Sequence, residues 1–541
     1  MKRIFTYAAL AIATLSASAT DYTGQLKVNV DGMVLPEAET TVTINKNENQ
    51  TYALELNNLI LTMGGAPAGI GNIVLNEVRA HEESGVTTLV INDNITITKG
   101  TTPGIPFWIG PSLGNVPINM RGEIRGEQLY FIIDIKMENS SFGELINVEF
   151  GDGGYQIKNS GFEEFHTATY IDGENSYSSD EPNAWHSFNS GIANGKFASL
   201  TKFALQNGNT SICNDIRPGS TGSKSVAIES SIVLGFQPAN GTMTTGRLQA
   251  GSLTATDPAN SSFMDMSLTD VDGNGDPFHT VLNGNPDSLV VWVKYKQGIV
   301  NEEYPYANVS AIITDGTYYQ DPEDDKEYTN VVAKAQDKKI ESKDFAWQRL
   351  SIPFDYDTYA ANNAVAKALL VTISTNAQPG VGSNDTNTPD SILVDDIELI
   401  YNSTVTGINV KGTAVKDFDQ ATSKYVVGIA GDNADITADD IEVLTDAKGA
   451  KVFVDITDID EEGVGSVANI TVLSADLKSS STYVVNTYTE GYLTGIANVE
   501  GDSNEVEAIY NLNGQRVDSP VKGQVYITKY ANGKIVKTVK K

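Results

Sequence analysis

One cysteine, Cys213, stands in 541 residues, so no disulfide can form within the chain. A lone small thiol of this kind is expected in a core, and a cysteine nucleophile is not. Histidine is nearly as scarce. His81, His166, His186 and His279 are scattered, and no pair has a metal-ligand spacing such as His-x-x-x-His. The Gly-x-Ser-x-Gly elbow is missing, as is a glycine-rich phosphate loop between strand and helix, so any catalysis falls to carboxylates. Basic residues are few, 37 against 69 acidic, for a net charge of −32. That balance argues against nucleic acid and anionic membrane as partners. Long apolar runs are missing too: the stretch Ile4 to Leu15 is too short to span a bilayer.

That stretch follows Lys2 and Arg3 and precedes Ala17-Ser18-Ala19, the pattern of a secretory signal over 1–19. No cysteine follows it to carry a lipid anchor. The mature protein is therefore expected outside the cytoplasm: periplasmic, at the outer-membrane surface, or secreted. The length calls for three or four domains. Nearly all of it reads as β. Tyr22, Gly24, Leu26, Val28 and Val30 alternate with polar neighbours, and similar short runs recur at 41–45, 52–61, 72–78, 87–91, 95–98 and 129–135. Turn pairs such as Asp31-Gly32, Asn92-Asp93 and Arg125-Gly126 separate them, which predicts an all-β barrel or sandwich. The opening Tyr-Thr-Gly strand, Gly-Asn-Ile-Val-Leu and the Gly-Glu-Ile-Arg-Gly hairpin resemble the calycin-like β-barrel domain of secreted Bacteroidetes proteins. The resemblance implies a barrel over 20–140, with an interior either filled by side chains or open to a small apolar ligand.

A second unit, 145–402, carries Trp185, Trp292 and Trp347. Its blocks run in order: Asn159-Ser160-Gly161-Phe162-Glu163, Pro182-Asn183-Ala184-Trp185, the strand entered through Gly284 to Leu289 and continued to Tyr295, Trp347 to Tyr356, and Ser391 to Tyr401. In this order they resemble a carbohydrate metabolism domain of Bacteroidetes, which implies a jelly roll and a role in polysaccharide handling. Residues 403–490 read as a small immunoglobulin-like sandwich. Over 491–541, Asn513-Gly514 and Asn532-Gly533 mark hairpins, and the segment resembles a C-terminal sorting module of exported proteins.

Three sets of residues are candidates for a site. Glu163, after a turn-forming glycine, and Asp395, on the inward face of the last strand, resemble the calcium bracket of carbohydrate-binding jelly rolls. The plainer alternative has Glu163 capping or ion-paired and Asp395 bonded to backbone. Asp270, Asp272 and Asn274 match the start of an EF-hand loop, but Val281 stands where its glutamate belongs, and the same residues are ordinary turn formers. Trp185, His186, Tyr177, Tyr304, Tyr306 and Tyr319 lie in polar stretches where flat rings and amides could hold a sugar, against ordinary packing for each. Trp292 and Trp347 are expected in the core. Glu163–Glu164 and Glu302–Glu303 are adjacent pairs that a strand points to opposite faces, so no two acids pair as a glycosidase requires. The sequence is thus read as an exported polysaccharide- or glycan-binding protein with a structural Ca2+. The alternatives are a glycoside hydrolase with paired loop carboxylates, and a structural or adhesive protein that meets cell-surface partners.

Overall fold

In the computed structural model, which describes residues 19–137, 143–460, 463–492, 506–511, 515–517, 519–530 and 535–539, the first alternating run becomes the strand Thr20–Val30. Leu26 and Val28 point into a core while Gln25 and Lys27 are exposed, as a period of two requires. Seven further strands follow: Ala38–Lys46, Tyr52–Met63, Ala66–Glu83, Val86–Ile95, Val116–Arg125, Gln128–Lys136 and Leu145–Phe150. Each pairs antiparallel with the one before, and the last returns to the first, Phe150 opposite Leu26 and Ile146 opposite Val30. The result is a closed eight-stranded barrel.

The expected boundary at 140 is corrected here. Seven strands would leave two unpaired edges, and Leu145–Phe150, which sequence reading gave to the next unit, satisfies both. The interior is filled by side chains from around the barrel, among them Leu26, Leu54, Leu75, Leu89 and Met120. Phe131 and Phe150 stack there at 5.1 Å.

The central unit is built of sheets that are antiparallel except where Ile192–Ala193 runs parallel to Arg247–Ala250. One has the order Thr210–Cys213, Ser225–Glu229, Ser391–Ile400, Ser288–Lys296, Gln348–Pro353. A second runs Thr242–Thr244, Ala368–Ser374, Tyr306–Thr314, Val331–Glu341, with Thr280–Val281 also on Ala368–Ser374. Every residue of Ala368–Ser374 is buried, which a sheet with one wet face cannot give, so this sheet is covered on both sides. A third sheet supplies a cover: Ile192–Ala193, Arg247–Ala250, Ser261–Met264 and Tyr319–Asp321. Its Met264 and Tyr319 pack with Ile312, Val331 and Leu370. A separate hairpin pairs Phe165–Asp172 with Asn175–Pro182.

Two compact units divide the chain, one of residues 1–400 with 476–478 and one of the remainder. In the second, the sheet of Val405–Val410, Thr413–Ala414 and Ile441–Thr445 and the sheet of Lys424–Ile429, Ser480–Thr489, Val464–Leu473 and Lys451–Asp458 share a core around Val405, Ile408, Ile470 and Val485. Val506–Tyr510, Val525–Tyr530 and Ile535–Val539 form a three-stranded antiparallel sheet. The turn glycines 514 and 533, and residues 1–18 of the expected signal, lie outside the described residues. Among the described residues no helix is long and apolar enough to cross a membrane.

Phe150 tests the closure, because it is both the end of the seam and part of the filling. Phe150→Ala is expected to cost about 3–5 kcal/mol of barrel stability, the usual range for a buried phenylalanine. Denaturant unfolding followed in the full chain measures it; a loss under about 1 kcal/mol would contradict a packed seam.

Candidate functional site

The hairpin register places His166 directly opposite Glu181, so the two side chains share a face. The chain then turns. Trp185 amide donates to Pro182 carbonyl, and Ala184 takes a positive φ of 66°. His186 pairs through its backbone with Thr244, at 2.8 and 3.0 Å. A third segment, the 270–276 loop, brings in Asp272. Its Oδ1 accepts the amides of Asn274 and Asp276, each at 2.8 Å, which turns Oδ2 inward. Asp276 fastens the loop to the hairpin end by accepting the Ala184 amide at 2.9 Å.

Asp272 Oδ2 lies 3.3 Å from His166 Nε2 and 3.4 Å from His186 Nδ1, and Glu181 Oε2 is 3.7 Å from His166 Nε2. Glu181, His186 and the Asp272 side chain are wholly buried, and the His166 side chain is 11% exposed. Glu181 Oε1 accepts the amide and hydroxyl of Ser187, and its Oε2 accepts the Ser190 hydroxyl at 2.6 Å. His166 is drawn above its ordinary range by its contact with Asp272, against the effect of burial. Burial opposes ionisation of Asp272, but the two imidazoles and the Asp276 amide outweigh it and hold the carboxyl below its usual range.

This arrangement corrects several sequence expectations. His166 and His186, twenty residues apart, both reach Asp272 although no spacing rule joins them. His186 is not a sugar contact, because it is buried. The EF-hand match does not act as one: Asp270 pairs with Arg247, the Asn274 amide group donates to Asp276, and only Asp272 turns to the histidines. Trp185 is wholly buried, 5.3 Å from the Phe162 ring, with its indole nitrogen on Lys158 carbonyl, so it packs the core instead of stacking on a sugar. Tyr319 is equally buried, with its hydroxyl on Glu323. Tyr177, Tyr304 and Tyr306 are half-buried. Trp292 and Trp347, expected in the core, are half-buried as well. The Arg217 guanidinium lies over Trp292 at 5.3 Å, and the Trp347 indole donates to Asp215.

Glu163 and Asp395 both engage the 217–224 loop. Glu163 accepts the amides of Ser223 and Lys224 and the Ser223 hydroxyl at 2.8 to 3.0 Å. Asp395, wholly buried, accepts the Arg217 amide on Oδ2 at 2.9 Å, and its Oδ1 has no hydrogen-bond partner. The neighbouring Asp396 is ion-paired to Arg217 at 2.6 Å.

A groove of about 630 Å³ opens in the same unit. The hairpin of Ser231–Val233 and Gln237–Ala239 borders it, as do strands Arg247–Ala250 and Ser261–Met264. Amides and hydroxyls line one part: Asn240, Gln249, Asn260, Asn308, Ser374 and Asn376. Leu200, Leu234, Leu253 and Phe236 line another, and Phe236 is 74% exposed at the hairpin tip. Asn240 donates to Ser374 Oγ and to Asn376 carbonyl, which fixes its amide and leaves Oδ1 unfilled. Asn308 Oδ1 and Thr201 Oγ1 are buried and unpartnered at the same groove. Sequence reading missed it, since its lining comes from segments between 188 and 380.

Residues 19–152 match the family of calycin-like beta-barrel domains. That segment is the closed barrel described above. No curated protein matches the chain. Among solved structures, the chain is similar to a "putative glycoside hydrolase" from Bacteroides thetaiotaomicron, at 14% identity and a TM-score of 0.30, over 71% of this chain and 98% of that one. A likeness at that level carries no argument about activity.

Asp395 provides a test of the calcium bracket. Burial pushes its carboxyl above the usual range; the Arg217 amide works against this and Asp396 adds to it. A raised carboxyl pKa means that the folded chain holds the proton more tightly than the unfolded one. Its contribution is favourable below the unfolded value, about 3.9, and is lost as pH rises through the folded value. Asp395→Asn keeps an acceptor for Arg217 and removes the buried charge. The variant is expected to melt at the same or a higher temperature than the parent at pH 7, with the advantage gone at pH 3. A clearly lower melting temperature at pH 7 would mean that the carboxylate is partnered by a cation there.

Proposed function

We propose that this is an exported binding protein whose groove takes an uncharged, polyhydroxylated chain, a glycan. The observation that carries the reading is the amide and hydroxyl lining of the groove, Asn240, Gln249, Asn260, Asn308, Ser374 and Asn376, beside a projecting phenylalanine. Amides and hydroxyls match sugar hydroxyls, and an exposed ring offers the flat apolar face on which a pyranose stacks. Charge is sparse: among the described lining residues, Asp321 and Lys338 are the charged ones. The volume falls in the range of ordinary small-ligand sites. Export rests on the leader-like pattern of residues 1–19.

Hydrolysis is the less supported reading for this groove. It needs two carboxyl groups flanking the bond, and Asp321 is the one acid among the described lining residues. Glu181 and Asp272 are buried away from any polymer. A second binding reading, an apolar or amphipathic ligand, is favoured by the exposed wall of Leu200, Leu253 and Phe236.

A glycan array on the full chain, with each hit checked for cleavage, tests the proposal. Binding without product release is expected. Phe236→Ala, at a site exposed enough to leave the fold intact, should weaken the best hit about tenfold, near the 1.4 kcal/mol such a stacking contact supplies. Cleavage of the bound glycan, or undiminished affinity in the variant, would contradict it. Binding of fatty acids in place of glycans would favour the apolar reading.

A further inference from the structure

We infer that the cluster of His166, His186, Asp272 and Glu181, centred on Asp272, is a structural site for a divalent transition metal with the ligand preference of zinc. The argument begins with the outer hydrogen bonds of the two imidazoles. His186 Nε2 lies 3.3 Å from Pro277 carbonyl, and a carbonyl only accepts, so that nitrogen carries hydrogen and Nδ1 presents its lone pair. His166 Nδ1 lies 3.2 Å from Asn183 Oδ1, whose amide nitrogen is directed to Glu164, so Nδ1 donates, and in the neutral ring Nε2 presents a lone pair. Both lone pairs face Asp272 Oδ2, another acceptor. These three atoms are buried and have no hydrogen-bond partner. With both rings neutral, three acceptors turned on one another repel unless a proton or a metal ion stands between them. An imidazole held from behind by a carbonyl or amide oxygen is also the usual support of a metal-bound histidine.

The distances choose among cations. A tetrahedral ion with bonds of about 2.0–2.1 Å sets neighbouring donors about 3.3–3.4 Å apart. The two histidine nitrogens lie 3.3 and 3.4 Å from Asp272 Oδ2, and Glu181 Oε2 lies 3.7 Å from His166 Nε2. Calcium takes oxygen donors in larger number and at longer range, so nitrogen donors in this tight set disfavour it. Charge agrees: two neutral imidazoles and two carboxylates sum to −2, which a divalent ion balances. Donors come within 4.8 Å of one another in two overlapping sets, His166 with Asp272 and Asp276, and His186 with Asp272 and Glu181, so Asp272 is the shared ligand. Glu181, His186 and the Asp272 side chain are wholly buried, which makes the site structural. It would tie both strands of the 165–182 hairpin to the 184–187 turn and to the 270–276 loop. The inference is independent of the glycan reading.

The experiment is metal analysis of the full chain. After stripping with a strong chelator and reloading with excess zinc, desalted protein should retain about one equivalent, and its melting temperature should fall on stripping and recover on reloading. His166→Ala and His186→Ala should each lose the retained zinc, while His279→Ala keeps it. Because those variants risk misfolding, cobalt loading of the unaltered chain gives a second readout: the intense visible absorption of a tetrahedral Co(II) centre is expected. Failure of the unaltered protein to retain zinc, with melting unmoved by chelator and metal, would overturn the inference. So would the weak spectrum of an octahedral cobalt centre, or zinc retained undiminished by both histidine variants.

Discussion

Two carboxylates and two imidazoles taken out of water around Asp272 impose the strictest condition on the central unit. Left uncompensated, buried charge costs several kcal/mol per group. The surrounding structure is arranged around that demand. Hairpin register sets His166 against Glu181. Asp272 has one oxygen committed to two loop amides, so its other must turn inward. His186 arrives by pairing with Thr244, at the border of the sheet that contains Ala368–Ser374. A hairpin, a turn, a loop and a sheet edge are thereby fixed relative to one another by a handful of polar atoms.

The groove is connected to this point by a short run of chain. Ser187 and Ser190 both bond Glu181, and Phe188 between them lines the groove. Arg247, on a strand that borders the groove, donates to Ser190 carbonyl and ion-pairs with Asp270 at the head of the acidic loop. The groove is therefore held by elements whose positions trace back to the buried cluster. This suits a preformed site that binds without rearranging: the amide of Asn240 is already oriented by Ser374 and Asn376 before any ligand arrives.

Much of the fold was legible because a period of two survives in sequence. Tyr22 to Val30 alternates, and the strand it forms buries Leu26 and Val28 as expected. The closing strand Leu145–Phe150 was misplaced because local pattern says which residues form a strand but not which edge needs one. The cluster was missed for a related reason. Spacing motifs describe ligands on one helix or in one loop, whereas residues 166, 181, 186 and 272 meet only through strand register and loop return. One signal was available: a two-residue turn at Gly173-Glu174 places 166 opposite 181 by counting alone. Trp185 stood as a candidate sugar platform, beside core packing, because its neighbours are polar. Those neighbours, Asn183 and His186, are polar because they serve the cluster.

The most direct measurement of the central claim is X-ray absorption at the edge of whatever metal the purified full-length protein carries. The account predicts a first shell of about four nitrogen and oxygen neighbours at about 2.0–2.1 Å, with the outer-shell scattering of two imidazoles. Absence of bound metal, or a shell of about six to eight oxygens at about 2.3–2.6 Å, would contradict it.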